Sequence, residues 1–193
     1  MEDDVKRVAL FGGSFNPIHN GHIAIARAVL RSNYADEVWL LVSPQNPLKS
    51  QRELCPEQVR LKIAQLALQD EQGIKVSDFE FTLSRPSYTW NTLQLLNKKY
   101  PYITFSLLVG GDNWINFNQW AHNQDILKYY KLVVYPRPEN PINAADLPAN
   151  VSLLNAPLYP YSSTDVRKCV KEGKSIESMV PKRIEQLVLD SYK

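Results

Sequence analysis

The sequence predicts an α/β fold, a doubly wound, mostly parallel sheet with helices on both faces. Three observations predict it. β-prone apolar runs alternate along the chain with stretches of helical periodicity, the pattern of strands joined by crossover helices. The first two runs, VKRVALF and EVWLLVS, carry continuous apolar stretches, as strands buried on both faces do. The first and fourth strand candidates each end in a glycine pair, Gly12-Gly13 and Gly110-Gly111. In such sheets ligands bind beyond the carboxyl ends of the strands, at the topological switch point.

In chain order, residues 5–11 (VKRVALF) form the first strand, and a Pro-containing loop covers 14–19. A helix follows over 20–31, with Ile23, Ala26 and Leu30 on one stripe. Residues 37–43 form the second strand, followed by the breaker-rich PQNPLKSQRELC. Pro56 opens a helix as its first residue, with Val59, Ile63, Leu66 and Ala67 at helical spacing to residue 69. Residues 74–81 read as a third strand of alternating character. Ser87 or Thr89 caps a helix that carries Leu93 and Leu96 and ends before Pro101. Residues 103–109 (ITFSLLV) make the fourth strand, helical segments fill 113–130, and LVVY at 132–135 is the fifth strand. Residues 136–150 are irregular, with four prolines; 151–155 is a short strand, and helices over 163–172 and 181–191 close the chain. With no repeat and no convincing linker, residues 1–193 read as one domain.

Composition narrows the function. Hydrophobic residues at 44% and charged residues at 22% are ordinary for a globular protein. A formal net charge of +2, without a basic stripe or stacking platform, argues against a nucleic-acid partner. Cys55 and Cys169 lack metal-ligand spacing and read as free thiols, which suits a reducing compartment. The opening MEDDVKRVALFGG is too short in apolar residues for a secretory core, and no window reaches membrane-spanning length. The expectation is a cytoplasmic protein with no membrane partner.

The most informative segment is GGSFNPIHNGH, residues 12–22. Glycines after a strand let the backbone approach a nucleotide closely, Ser14 offers a hydroxyl, and Pro17 stiffens the loop. His19 and His22 stand three apart at a helix start, so both imidazoles leave one face of its first turn. Free backbone N–H groups and the positive dipole end point the same way. The set suits phosphates, above all negative charge that grows in a transition state. A metal would need a third ligand, and no carboxylate or thiol sits nearby at helical spacing.

A second segment, YSSTDVR at 161–167, opens a helix. Ser162, Ser163 and Thr164 can cap it and donate to phosphate oxygens, and Arg167 can make a bidentate contact. The same residues also suit an ordinary cap with a surface arginine. No nucleophile elbow or Cys–His pair appears by spacing, so covalent catalysis has no candidate.

GGSFNPIHNGH resembles the (T/H)xGH signature of the nucleotidylyltransferase superfamily, and in particular bacterial nicotinate-mononucleotide adenylyltransferases, which often carry Asp where Asn16 stands. YSSTDVR is similar to that family's ISSTxxR motif, with Tyr161 in place of Ile. PSYTWNTL at 86–93 resembles its PSYTxxTL segment, LLVGGDNWINFNQW at 107–120 its GxDxxxxFxxW stretch, and YPRP at 135–138 its RP turn. The likeness keeps order and spacing from residue 5 to 171.

The resemblance implies a Rossmann-like fold and a reaction of ATP with nicotinate mononucleotide, giving deamido-NAD and pyrophosphate for NAD biosynthesis. It implies direct in-line attack on the α-phosphorus, with no covalent enzyme intermediate. By it, His19 and His22 stabilise the α-phosphoryl transition state, and Lys49 and Arg167 hold the departing pyrophosphate. Gly12, Gly13, Ser14 and Phe15 meet ATP, Gly110 and Asp112 face its adenosine or ribose, and Ser163 and Thr164 bind its outer phosphates. Tyr88 and Thr89 lie beside the pyridine nucleotide, Thr89 and nearby amides receive its carboxylate, Trp120 stacks on the ring, and Arg137 approaches that side. Thr89 also suits a helix cap, and Trp120 alone would read as a core aromatic. PQNPLKS at 44–50 is shorter than the family's PxxxPPHK loop and has Leu48 in place of the histidine. Lys49 then competes with Arg52 for the phosphate contact, and a solvated loop lysine is the plain alternative. Mg²⁺ should travel with ATP and need no dedicated protein cage. Preference for nicotinamide mononucleotide or for both substrates stays open, as do a homo-oligomer and a non-catalytic nucleotide sensor on the same fold.

Overall fold

The protein is described by a computed structural model that covers residues 5–45, 54–136 and 141–193. Among the described residues the strands are β1 (Lys6–Gly13), β2 (Glu37–Val42), β3 (Ile74–Ser77), β4 (Ile103–Gly110), β5 (Lys131–Tyr135) and β6 (Val151–Leu153). They pair in the order β3-β2-β1-β4-β5-β6, and every pairing is parallel. The order reverses between β1 and β4, which opens a crevice at their carboxyl ends. Both glycine-ended strands therefore lie side by side at the switch point. The helices are α1 (Asn20–Arg31), α2 (Glu57–Ala67), α3 (Thr89–Lys99), α4 (Gly111–Ile115), α5 (Asn123–Tyr129), α6 (Ser163–Lys171) and α7 (Lys182–Ser191).

Why the central strands carry consecutive buried apolar residues follows from the two faces. Side chains alternate across a strand, so Ala9 and Phe11 enter one core with Ile25, Val29, Ile63, Val166 and Ile184. Val8 and Leu10 enter the other, with Leu93, Leu96, Phe105 and Ile126. α1, α2, α6 and α7 thus cover one face, and α3 and α5 the other. Val8 and Ala9 are both 0% exposed although they are neighbours, which only a strand sandwiched between helix layers allows.

The structure corrects three local expectations. The third strand stops at Ser77, and Phe79–Thr82 form a 3-10 turn instead. β3 is an edge strand held by β2 alone, and the Ser77 hydroxyl accepts from the Phe79 N–H at 3.2 Å, which turns the chain away. Pro56 is the N-cap of α2 rather than its first residue, with an extended ψ of 137°. Neither Ser87 nor Thr89 caps α3; the N-cap is Tyr88, which makes no side-chain cap bond. Cys55 and Cys169 are free thiols. Among the described residues no helix is long and apolar enough to cross a membrane.

Candidate active site

α1 starts at the edge where β1 ends, and its first turn is built from the two histidines. His19 is the N-cap, in extended conformation at φ −142° and ψ 169°. His22, at the third helical position, reaches back so that its Nδ1 accepts the His19 backbone N–H at 3.2 Å. This is a capping box in which an imidazole takes the place of the usual carboxylate. An Nδ1 that accepts leaves the proton on Nε2 in the neutral ring, so His22 offers Nε2–H as a donor. The two imidazole centroids are 3.7 Å apart and tilted by 32°. Phe15 meets the His22 ring edge-on at 5.1 Å, and Tyr161 meets the His19 ring at 5.7 Å. His19 is 2% exposed. A Cβ on Gly21 would fall 2.9 Å from the His19 ring, so only glycine lets that ring lie back on the helix.

The two helix-opening motifs meet here. Ser163, at the first position of α6, donates its hydroxyl to the Pro17 carbonyl at 2.9 Å. Arg167 donates from Nη1 to the Asn16 carbonyl at 2.8 Å and from Nη2 to the Thr164 hydroxyl at 3.4 Å. Of the three hydroxyls at this helix start, Ser162 is the cap, paired reciprocally with Asp165. The Ser162 hydroxyl and backbone N–H hold the Asp165 carboxyl below the usual range. The Asn16 side chain is spent elsewhere: its Oδ1 accepts the Cys55 N–H at 3.1 Å, tying the β1 loop to the approach of α2.

Sequence reasoning missed Arg60, which is 1% exposed. Its guanidinium donates to the carbonyls of Ser14, Cys55 (2.8 Å), Ser43 (2.9 Å) and Pro44 (3.3 Å). One buried fork therefore fixes the loops that leave β1 and β2. Its signal was present, since Arg60 falls on the same helical stripe as Ile63, Ala64 and Ala67, and a charge on an apolar face needs internal acceptors.

On the other side of the switch point lies a cleft lined by Gly12, Glu80, Thr89, Thr92, Gly110 and Trp120, among others. A Cβ on Gly12 would meet nothing within 4 Å, so the strand end is open to a ligand. Gly110 is needed for a different reason: a Cβ there would lie 2.6 Å from Asp112 Oδ1. Three buried polar atoms at this edge, Ser14 Oγ, Asp112 Oδ1 and Trp120 Nε1, have no hydrogen-bond partner among the described residues. Buried polar atoms are normally paired, so these fit contacts made by a bound molecule. Trp120 packs on Phe117 at 5.2 Å and lines the cleft at once. Tyr88 is exposed at the head of α3. Glu80, also missed, sits on the turn that was expected to be strand. Lys49, Arg52 and Arg137 lie outside the described residues. Among the described residues no cluster of three His, Cys, Asp or Glu side chains is placed to hold a metal.

The cytidylyltransferase-like family model matches residues 10–169, a span that contains both helix-opening motifs. The chain belongs to this family. Among cytidylyltransferase-like proteins, a Bacteroides thetaiotaomicron relative named "Probable nicotinate-nucleotide adenylyltransferase" is 39% identical over 187 residues, 97% of this chain and 93% of its own. A Cytophaga hutchinsonii relative of the same name is 42% identical over 183 residues, 95% of either chain. The chain thus falls among the nicotinate-nucleotide adenylyltransferases of the cytidylyltransferase-like family. Among solved structures, Plasmodium falciparum nicotinic acid mononucleotide adenylyltransferase complexed with NaAD superposes with a TM-score of 0.81, at 20% identity, over 96% of this chain and 94% of that one. At that identity the likeness is one of fold, and it agrees with the Rossmann-like, doubly wound sheet.

Proposed function

We propose that this protein joins nicotinate mononucleotide to the AMP part of MgATP, releasing pyrophosphate and giving deamido-NAD. The observation that carries the reading is the convergence of two helix N-termini, α1 with His19 and His22 and α6 with Ser163, Thr164 and Arg167, through the Asn16 and Pro17 carbonyls. Each N-terminus turns a positive dipole end toward phosphate, and together they suit a triphosphate.

In the proposed reaction a phosphate oxygen of the mononucleotide attacks the α-phosphorus, and the bond to the β-phosphate oxygen breaks. His22 donates through Nε2–H to the α-phosphoryl oxygens, with His19 beside it. Arg167 and Thr164 take the charge of the leaving pyrophosphate, and Lys49 is the proposed second cation. Gly12, Gly13, Ser14 and Phe15 border the triphosphate, and Asp112 Oδ1 accepts from the adenosine. Thr89 and the first-turn amides of α3 receive the pyridine carboxylate while Trp120 stacks on the ring; Tyr88 lies beside it, and Arg137 is the further proposed contact on that side. Such catalysis works by positioning and charge stabilisation. The metal enters as MgATP, bound mainly through phosphate oxygens and water. In this reading residues 1–193 act as one domain in the cytoplasm.

The test is to supply MgATP with nicotinate or nicotinamide mononucleotide and separate the products by chromatography. Deamido-NAD formed in clear preference to NAD supports the reading. Preference for the nicotinamide substrate, or no dinucleotide from folded protein, overturns it.

A further inference from the structure

We infer that Glu80 is a positioning residue for the pyridine nucleotide: its carboxylate spans the first turn of α3 and sets the orientation in which that turn meets the substrate. This rests on the functional reading above.

Glu80 is 8% exposed and lines the cleft together with Thr89, Thr92 and Trp120. Its two oxygens are used separately. Oε2 accepts the Ser87 hydroxyl at 2.9 Å, and Oε1 accepts the Thr92 hydroxyl at 2.9 Å. Ser87 lies just before the N-cap Tyr88, and Thr92 lies one turn inside the helix, where it also donates to the Tyr88 carbonyl at 3.4 Å. Ser87 and Thr92 are 8% and 1% exposed. One side chain therefore grips α3 on both sides of the turn that bears Tyr88 and Thr89.

Burying a carboxylate is costly, and hydroxyls offset the cost only in part. No lysine, arginine or histidine among the described residues forms an ion pair with Glu80. Burial raises its pKa, opposed by the hydroxyls of Ser87, Thr92 and Ser43. A glutamine would remove the charge with almost the same shape, yet it has one accepting oxygen where this grip uses two. The α3 N-cap makes no side-chain bond of its own, so the orientation of its first turn depends on residues outside the helix.

The test is Glu80→Gln, with Thr92→Val and Thr92→Ser beside it, each checked for folding by thermal melt. We expect Glu80→Gln and Thr92→Val to raise KM for nicotinate mononucleotide about tenfold, the scale of one lost charge-assisted hydrogen bond, with KM for ATP within about twofold. Thr92→Ser, which keeps the hydroxyl, should stay near wild type, and the Gln/Val double variant should be little worse than either single one. Nicotinate mononucleotide should also raise the melting midpoint of wild type more than that of Glu80→Gln, a comparison that needs no turnover. Unchanged KM for the mononucleotide, or equal rises in both KM values, would overturn the role of Glu80 while leaving the enzyme intact. A wild-type protein that neither binds nicotinate mononucleotide nor makes dinucleotide overturns the functional reading and this inference with it.

Discussion

Arg167 donates to the backbone carbonyl of Asn16 at 2.8 Å, across 151 residues of sequence. The helix-opening motif at 161–167 is thus fastened to the one at 12–22 by the residue proposed to hold the outer phosphates. Arg167→Lys keeps the charge but loses the planar fork that reaches Asn16 and Thr164 together. KM for ATP should rise about tenfold, the scale of one charge-assisted hydrogen bond, and KM for the mononucleotide should change far less. Steady-state kinetics with each substrate varied in turn would show it; an unaltered KM for ATP would remove Arg167 from the triphosphate site.

His22 has a structural and a proposed chemical task. His22→Ala loses the Nδ1 cap on the His19 N–H, for which about 1 kcal/mol of stability is expected. Loss of the Nε2 donor should lower kcat by roughly 10²–10³. A melt shifted by a few degrees together with that loss in kcat would separate the two tasks. Undiminished turnover would exclude His22 from the chemistry.

Gly21→Ala runs against the usual helix rule. Alanine in a helix interior ordinarily stabilises by roughly 0.5–1 kcal/mol over glycine. Here the new Cβ would stand 2.9 Å from the His19 ring and 3.3 Å from Tyr159 Cβ. The ring must shift, and at a reaction centre, where His19 is proposed to lie, misplacing a group by about 1 Å can cost about 10²-fold. We expect kcat to fall at least tenfold, with no gain in melting temperature. A more stable and fully active Gly21→Ala enzyme would mean that the His19 position is not critical.

Acid stability should depend on Glu37, on β2. Burial tends to raise its pKa, but the ammonium groups of Lys6 and Lys75 and the Trp39 indole N–H outweigh it and hold the value at about 2 against the ordinary 4.5. A depressed carboxylate contributes stability that is complete above pH 4.5 and lost as pH falls through 2. Both lysines are largely exposed, so about 1–2 kcal/mol is the expected size after solvent screening. Glu37→Gln should be less stable at pH 7 by that amount, and the gap should close between pH 4.5 and 2 in urea titrations. A gap that is the same at both ends of the range would mean that Glu37 contributes by packing rather than charge.

Legibility in the sequence followed the physics of each element. α1 is readable to the residue, because its apolar stripe is strong and the Pro-containing loop ends at His19, its N-cap. The inner stretches of β1 and β2 are readable because both faces are buried there, which gives the apolar runs VALF and VWLLV. Residues 78–81 were misread: alternation continues past Ser77, but an edge strand needs a partner to continue, and β2 supplies one for only four residues. The caps of α2 and α3 were misplaced by one residue, since extended backbone at Pro56 and Tyr88 depends on where the preceding loop arrives.

By itself the sequence determined the alternation of strands and helices, the two motif-bearing helix starts and the family to which they point. These are local matters, set by periodicity, glycines and the residue types of single turns. Only the tertiary structure decided which distant groups touch. Arg60 joins the loops after β1 and β2, Arg167 joins α6 to Asn16, and Glu80 grips α3 from the turn after β3. Those contacts depend on the strand order β3-β2-β1-β4-β5-β6, which brings chain segments together at one sheet edge. The physical reason is that a buried charge or carboxylate takes whatever partners the folded backbone delivers, and their identity is not written in its neighbours along the chain.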